Sequence, residues 1–262
     1  PGSQAEGTIA IDPTDSNHLA AASVNLLSED VPSIFFAEST DGGVTWETSL
    51  VGTANDGLPP ACCDPRVAFD SFGNLYMAYR TQGKEFDVNF DKQITVVLRG
   101  AGQSAWRTLE VFEPINADQP SITTGPGRDG VGNAVWMTFE ANAPLGGQVI
   151  YASGATILDR DDVGAFTDPA VVAPTVPDTL GRDFGDVAIG PKGQVLVNYQ
   201  QAATLEGPSR ISAHLDPDGL DPLGYGPPIR VTDTRVGNKT TLPPQAVRRS
   251  TAEANLAWDR GD

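Results

Sequence analysis

The chain has 262 residues, of which 39% are hydrophobic, 28 are Gly and 21 are Pro, a composition that argues against a mainly helical protein and suits many short strands divided by turns. Its 34 acidic residues against 17 Lys and Arg give a net charge of −17, which repels nucleic-acid backbones and anionic membranes and leaves nucleic acid out as an expected partner. No apolar run approaches the roughly 18 residues of a membrane span, so membrane insertion is not expected either. The chain opens on Pro1-Gly2-Ser3 and reads as a processed or trimmed segment, so the missing signal peptide is no argument against secretion.

Taken in order, the predicted elements repeat. Ile9 to Ser23 reads as strand, turn, strand, and two further short strands follow at Pro32 to Glu38 and Glu47 to Val51. Val67 to Tyr79 repeats the strand, Gly turn, strand unit, followed by Gln93 to Leu98 and Arg107 to Phe112. Ile122 to Phe139 and Gln148 to Ala152 come next, and Val187 to Tyr199 aligns without a gap on Val67 to Tyr79. Ser209 to Leu215, Pro228 to Thr232 and a fifth unit from Ala246 to Trp258 complete the chain. The five units begin at 9, 67, 122, 187 and 246, with spacings of 58, 55, 65 and 59 residues, a period that fits a four-stranded propeller blade.

The predicted fold class is therefore all-β, a β-propeller of four-stranded blades with about four and a half blades in this chain. The blades fall at about 6–63, 64–117, 118–182 and 183–242, with a partial one at 243–262, in a single propeller domain or a fragment of one. A β-sandwich is the rival architecture, and it would need no regular period. An open ring exposes sheet edges and blade faces. The expectation is a fragment of a six- to eight-bladed ring, completed by a missing segment or a second chain, with a five-bladed ring or closure on a truncated last blade as the alternative.

Between the first pair of outer strands lies Ser39-Thr40-Asp41-Gly42-Gly43-Val44-Thr45-Trp46. Its Asp and Ser side chains can bond the turn's own N–H groups, and its glycines allow positive φ. The pattern carried by Ser39, Asp41, Gly43 and Trp46 resembles the Asp-box of sialidase-like (BNR-repeat) β-propellers, with a degraded copy at Gly100 to Trp106 and a remnant at Gly164 to Thr167. The resemblance implies a structural turn between the third and fourth strands of a blade, on the face away from the ligand. It also implies an extracellular setting, secreted or at the cell surface. The Arg-Ile-Pro signature of true sialidases is absent, so sialidase activity itself is not expected.

In a propeller the approach to each inner strand reaches the channel mouth. Residues 53–66, 113–121, 176–186 and 236–245 are expected on one face, bringing together Glu6, Asp64, Arg66, Asp118, Arg182, Asp183 and Asp186 as ligand-binding rim residues. Carboxylates so placed suit calcium or a glycoside-cleaving pair, and the arginines suit an anion clamp; Asp before a strand is also an ordinary turn cap. Asp159 and Asp161 resemble half of an EF-hand loop that lacks its terminal Glu, a further candidate metal site. Cys62 and Cys63, the only cysteines, can form a vicinal disulfide at the rim or remain two thiols. With His18 and His214 the only histidines, a His-rich zinc site is excluded. Three functions fit: a non-catalytic module binding a glycan or protein at the channel mouth, a glycoside hydrolase of sialidase-like architecture, or a structural repeat module of a larger surface protein.

Overall fold

A computed structural model of the protein describes residues 4–25, 33–81, 92–113, 116–143, 147–173, 181–220, 224–237, 240–242 and 245–259. The first sheet runs in chain order through β1 (Gln4–Asp12), β2 (Asp15–Asn25), β3 (Ser33–Ser39) and β4 (Glu47–Val51). The second is built likewise from β5 (Ala61–Phe69), β6 (Leu75–Thr81), β7 (Gln93–Arg99) and β8 (Arg107–Phe112). In the third, β9 (Asp118–Pro126), β10 (Asn133–Asn142) and β11 (Gln148–Asp159) are followed by an outer edge split into β12 (Asp162–Val163) and β13 (Ala170–Ala173). The fourth contains β14 (Arg182–Ile189), β15 (Val195–Ala202), β16 (Ser209–Asp216) and β17 (Ile229–Thr234). All pairings are antiparallel.

The sheets stack face on face. Ala20, Ala22 and Ile34 of the first pack on Val67, Phe69 and Met77 of the second, and Val96 and Leu98 of the second pack on Ile122 and Met137 of the third. Ala134, Trp136 and Ile150 of the third pack on Val187, Ile189 and Val197 of the fourth. The inner strands β1, β5, β9 and β14 lie beside one another in sequence, each the first of its sheet. Middle strands such as β6 are buried on both faces, which is why their sequence reads as a continuous apolar run rather than an alternation. The repeated Gly turns have a stereochemical cause, since Gly73 and Gly193 both adopt φ 80° in the tight connection after the inner strand.

The fifth repeat unit departs from expectation. Here β18 (Thr240–Leu242) and β19 (Gln245–Ser250) form a separate two-stranded sheet, and residues 251–259 carry no strand. That last segment runs beside the fourth sheet: Ala252 N donates to Gln200 Oε1 at 2.8 Å, Asn198 Nδ2 to Ala254 O at 2.9 Å and Leu256 N to Asp186 Oδ2 at 2.6 Å. It is held by side chains of β14 and β15 instead of a strand ladder. Residues 114–115, 176–180, 238–239 and 243–244 of the expected rim loops lie outside the described residues.

Candidate functional site

All four inner strands share an irregularity at the same place. Glu6, Asp64, Gln119 and Phe184 have φ of 58°, 55°, 49° and 55°, and each lies three residues before the repeat positions Ile9, Val67, Ile122 and Val187. The pairing register slips there in all four sheets, between Ala5 and Thr8, Cys63 and Arg66, Thr138 and Glu140, and Asp183 and Asp186. A bulge of this kind re-aims side chains and increases local twist, and positive φ at four non-glycine residues is strained backbone of the sort concentrated at functional sites.

The bulges gather carboxyl groups. Asp64 N donates to Glu6 Oε2 at 3.1 Å, and Gln119 Nε2 donates to Asp64 Oδ1 at 3.2 Å, which joins three neighbouring sheets. Arg80 Nη1 pairs with Asp118 Oδ1 at 3.2 Å and lies 3.5 Å from Cys63 Sγ. Glu140 Oε2 accepts from Phe184 N at 3.1 Å, and Glu140 stands opposite Asp118 in the β9–β10 register. Asp64 is only 3% exposed; burial first, then the charges of Asp118 and Glu6, push its carboxyl up to about 9. Burial and the charges of Asp183 and Asp118 likewise push Glu140 well above the usual carboxylate range. Burial and the neighbouring carboxyls thus push Asp64 toward its protonated form.

The other expected rim residues lie around this cluster with different partners. Asp186 accepts from Ser121 Oγ at 2.5 Å and from Leu256 N, and Arg66 Nη2 lies 3.5 Å from Glu253 Oε1. Asp183 is buried beside Glu140. Arg182 is buried with its guanidinium 5.5 Å from the Tyr199 ring centroid, and its Nε and Nη1 make no hydrogen bond. Cys62 and Cys63 form a disulfide directly before Asp64, with Cα atoms 3.8 Å apart.

Two site residues escape the sequence reading: Arg80 and Glu140. Each follows the aromatic residue that closes its repeat unit, Tyr79 or Phe139, and stands near the bulge across the ladder. That aromatic–polar dipeptide is the signal that would have revealed them.

At the opposite end of the inner strands the acidic residues have structural partners. Asp41 Oδ1 accepts from Ser39 Oγ at 2.8 Å and Thr45 N at 2.8 Å, Gly43 N donates to Ser39 Oγ at 2.9 Å, and Trp46 Nε1 donates to Gly43 O at 3.0 Å. Bonds from Thr45 and Ser39 bring the exposed Asp41 carboxyl down to about 2. Asp161 is an inter-sheet clasp: its backbone carbonyl accepts from Arg107 Nη2 at 2.6 Å and its Oδ2 from Gln103 Nε2 at 2.5 Å, while Asp159 Oδ1 caps Arg160 N at 2.7 Å. Among the described residues no group of three or more His, Cys, Asp and Glu has the arrangement of a metal site. The roomier cleft, about 500 Å³, is also at this end, between Ile11, Phe69, Ser71, Thr124 and Asn133. Its one acidic residue, Asp70, is already bonded by Phe72 N, Asn74 and Tyr76 Oη, so the ionisable chemistry belongs to the bulge end despite the smaller space there.

No protein-family model and no curated protein matches the chain. Solved structures do. An α-L-arabinanase of Penicillium chrysogenum complexed with arabinobiose is similar at 17% identity and a TM-score of 0.57, over 87% of this chain and 66% of that one. A GH93 α-L-arabinofuranosidase of Fusarium graminearum, also with arabinobiose, has 13% identity and a TM-score of 0.60 over the same shares. A thermostable family-43 glycoside hydrolase has 13% identity and a TM-score of 0.50, over 87% of this chain and 72% of that one. The chain has the β-propeller fold. It spans 66% of the length of the first two structures. The likeness is one of fold and does not single out the sialidase-like family. Among the described residues no helix is long and apolar enough to cross a membrane.

Proposed function

We propose that this chain belongs to a propeller glycoside hydrolase whose acid–base machinery is the carboxyl set at the inner-strand bulges. The observation that carries the reading is Asp64, buried and proton-bearing between Glu6 and Asp118. Glycoside hydrolysis needs one carboxyl that gives a proton to the leaving oxygen and a second that attacks the sugar or activates water. Asp64 supplies the stored proton; Glu6 and Asp118, both partly exposed, present carboxyls to the channel mouth. The arabinose-directed enzymes among the similar structures make α-L-arabinosides the first substrate class to test. An extracellular setting goes with this reading, since a disulfide persists in oxidising compartments.

A second reading, glycan binding without hydrolysis, draws support from the narrow mouth. The space between Arg66, Gln119, Phe184, Asp186 and Glu253 is about 20 Å³. Turnover of 4-nitrophenyl α-L-arabinofuranoside and of arabinobiose, with a glycan-array binding assay in parallel, separates the two. Asp64→Asn and Asp118→Asn are each expected to lower kcat at least about 100-fold, the scale of acid–base assistance. Binding without turnover in the wild type transfers the assignment to the second reading; neither activity, on a broad panel of aryl glycosides and glycans, rejects both.

A further inference from the structure

The four inner-strand bulges carry side chains of different kinds, Glu6, Asp64, Gln119 and Phe184. Gln119 alone is an amide, which donates a hydrogen bond without adding charge. It lines the narrow mouth and touches both aspartates of the acid–base set. Its Nε2 donates to Asp64 Oδ1 at 3.2 Å, and its backbone N–H donates to Asp118 Oδ1 at 3.2 Å. Among the described residues it is the only nitrogen donor bonded to the Asp64 carboxyl, and the Asp64 backbone N–H is turned to Glu6 Oε2 instead.

The surroundings explain why an amide stands there. Glu6 of β1 and Asp118 of β9 lie within hydrogen-bond reach of the Asp64 carboxyl, and Glu140 of β10 feels its charge from farther away. Arg80 of β6 pairs with Asp118. A cationic donor in place of Gln119 would draw Asp64 into its anionic form, and a carboxylate there would add a third like charge beside it; an amide does neither. An N–H aimed at Oδ1 also selects the oxygen that carries hydrogen in a neutral Asp64, because Oδ1 is then the acceptor and Oδ2 the O–H.

We propose that Gln119 is a positioning residue of the acid–base set, holding Asp64 with Oδ1 as its carbonyl oxygen and Oδ2 as the O–H aimed at the leaving oxygen. This rests on the hydrolase reading above. In that step the glycosidic C–O bond breaks with its electron pair on the leaving oxygen, which takes the Asp64 proton; the water that replaces the leaving group returns a proton to the carboxyl set.

Infrared spectroscopy reads the Gln119 bond without any substrate. The carboxylic-acid carbonyl band that disappears in Asp64→Asn belongs to Asp64, and it should move to higher wavenumber in Gln119→Met, which keeps the chain length and removes the donor. Gln119→Leu repeats the test should the Met variant misfold. Gln119→Lys, a donor that carries charge, should lose most of the band at pH 7. With 4-nitrophenyl α-L-arabinofuranoside, Gln119→Met is expected to lower kcat at least about tenfold with KM within about twofold, and Gln119→Lys to move the alkaline limb of the kcat profile to lower pH. No Asp64 acid band in the wild type at pH 7, a band unmoved in Gln119→Met and Gln119→Leu, or a band kept in Gln119→Lys each overturns the assignment to Gln119, with or without turnover. Both band changes in a wild-type background that turns over no glycoside uphold the placement of Gln119 and reject the hydrolase reading alone.

Discussion

The two ends of the inner strands use the same residue type in opposite ways. At the turn end, Asp12 accepts from Thr14 N at 2.8 Å, Thr14 Oγ1 at 2.7 Å and His18 Nδ1 at 2.9 Å, and Asp41 and Asp70 are comparably surrounded by donors. Burial opposes the Asp12 charge, but the bonds from Thr14 and His18 outweigh it and the pKa falls. At the bulge end, Asp64 has neighbouring carboxyls in place of a full set of donors, and its pKa rises. An Asp beside a strand is a cap where donors outnumber carboxyls and a proton store where they do not.

The largest expected effect tests that contrast through stability. Because the folded pKa of Asp64 is raised, its contribution to the fold is fully present below the unfolded value near 4 and is lost as pH rises through about 9. Asp64→Asn, which cannot ionise, should therefore stabilise the protein at pH 7 by on the order of 2–4 kcal/mol while lowering kcat at least about 100-fold. Urea unfolding of wild type and variant at pH 5, 7 and 9 measures it; a gap that fails to widen with pH would mean that Asp64 is a cap after all.

The next effect belongs to the turn end, where stability should behave in the ordinary way. Arg99 reaches from the second sheet to Glu38 of the first, with Nη1 to Oε2 at 3.0 Å, and sits 5.2 Å from the ring centroids of both Phe36 and Trp106. Arg99→Ala should cost on the order of 2–3 kcal/mol by stranding Glu38 and removing the ring contacts. His18 adds a pH signature. Burial opposes its charge, but Glu38 at 2.6 Å and Asp12 raise its pKa, so its contribution is complete below the unfolded value near 6.5 and fades as pH rises through the folded one. His18→Gln should accordingly lose more stability at acid than at alkaline pH, whereas Asp64→Asn gains most at alkaline pH; equal losses at both would remove the histidine from the clasp.

The smallest stability effect is expected from the disulfide. Cys62 and Cys63 are adjacent, so their bond closes almost no loop, and reduction by a dithiol should change unfolding free energy by less than about 1 kcal/mol. Function should respond more strongly, because Cys63 contacts the Arg80 guanidinium that holds Asp118, and Asp64 follows directly. Alkylation and intact mass confirm the redox state, and turnover is then compared before and after reduction. Unchanged turnover in fully reduced, folded protein would separate the disulfide from the carboxyl set.

Much of this was determined locally. The period of strands and Gly turns marks out the four sheets, since φ near 80° at Gly73 and Gly193 and the apolar runs of the middle strands are short-range consequences of residue type. The turn from Ser39 to Trp46 also follows from its own side chains, whose donors and acceptors all lie within four residues. Other properties are tertiary. Asp64 and Asp41 are the same residue type, but burial first and then the charges of Asp118 and Glu6 from neighbouring sheets raise Asp64, whereas the exposed Asp41 keeps the bonds of its own turn. Asp161 reads as a metal ligand by spacing, yet its partners, Gln103 and Arg107, come from more than fifty residues upstream. The fifth unit has the letters of an inner strand, but strand pairing needs a partner edge, and side chains of β14 and β15 hold residues 252–256 instead. Sequence by itself determined the repeating strands and their turns, because hydrophobic period and backbone stereochemistry act within a few residues; the tertiary structure decided which carboxyl is pushed toward its protonated form, because burial and charge depend on what the other sheets bring near.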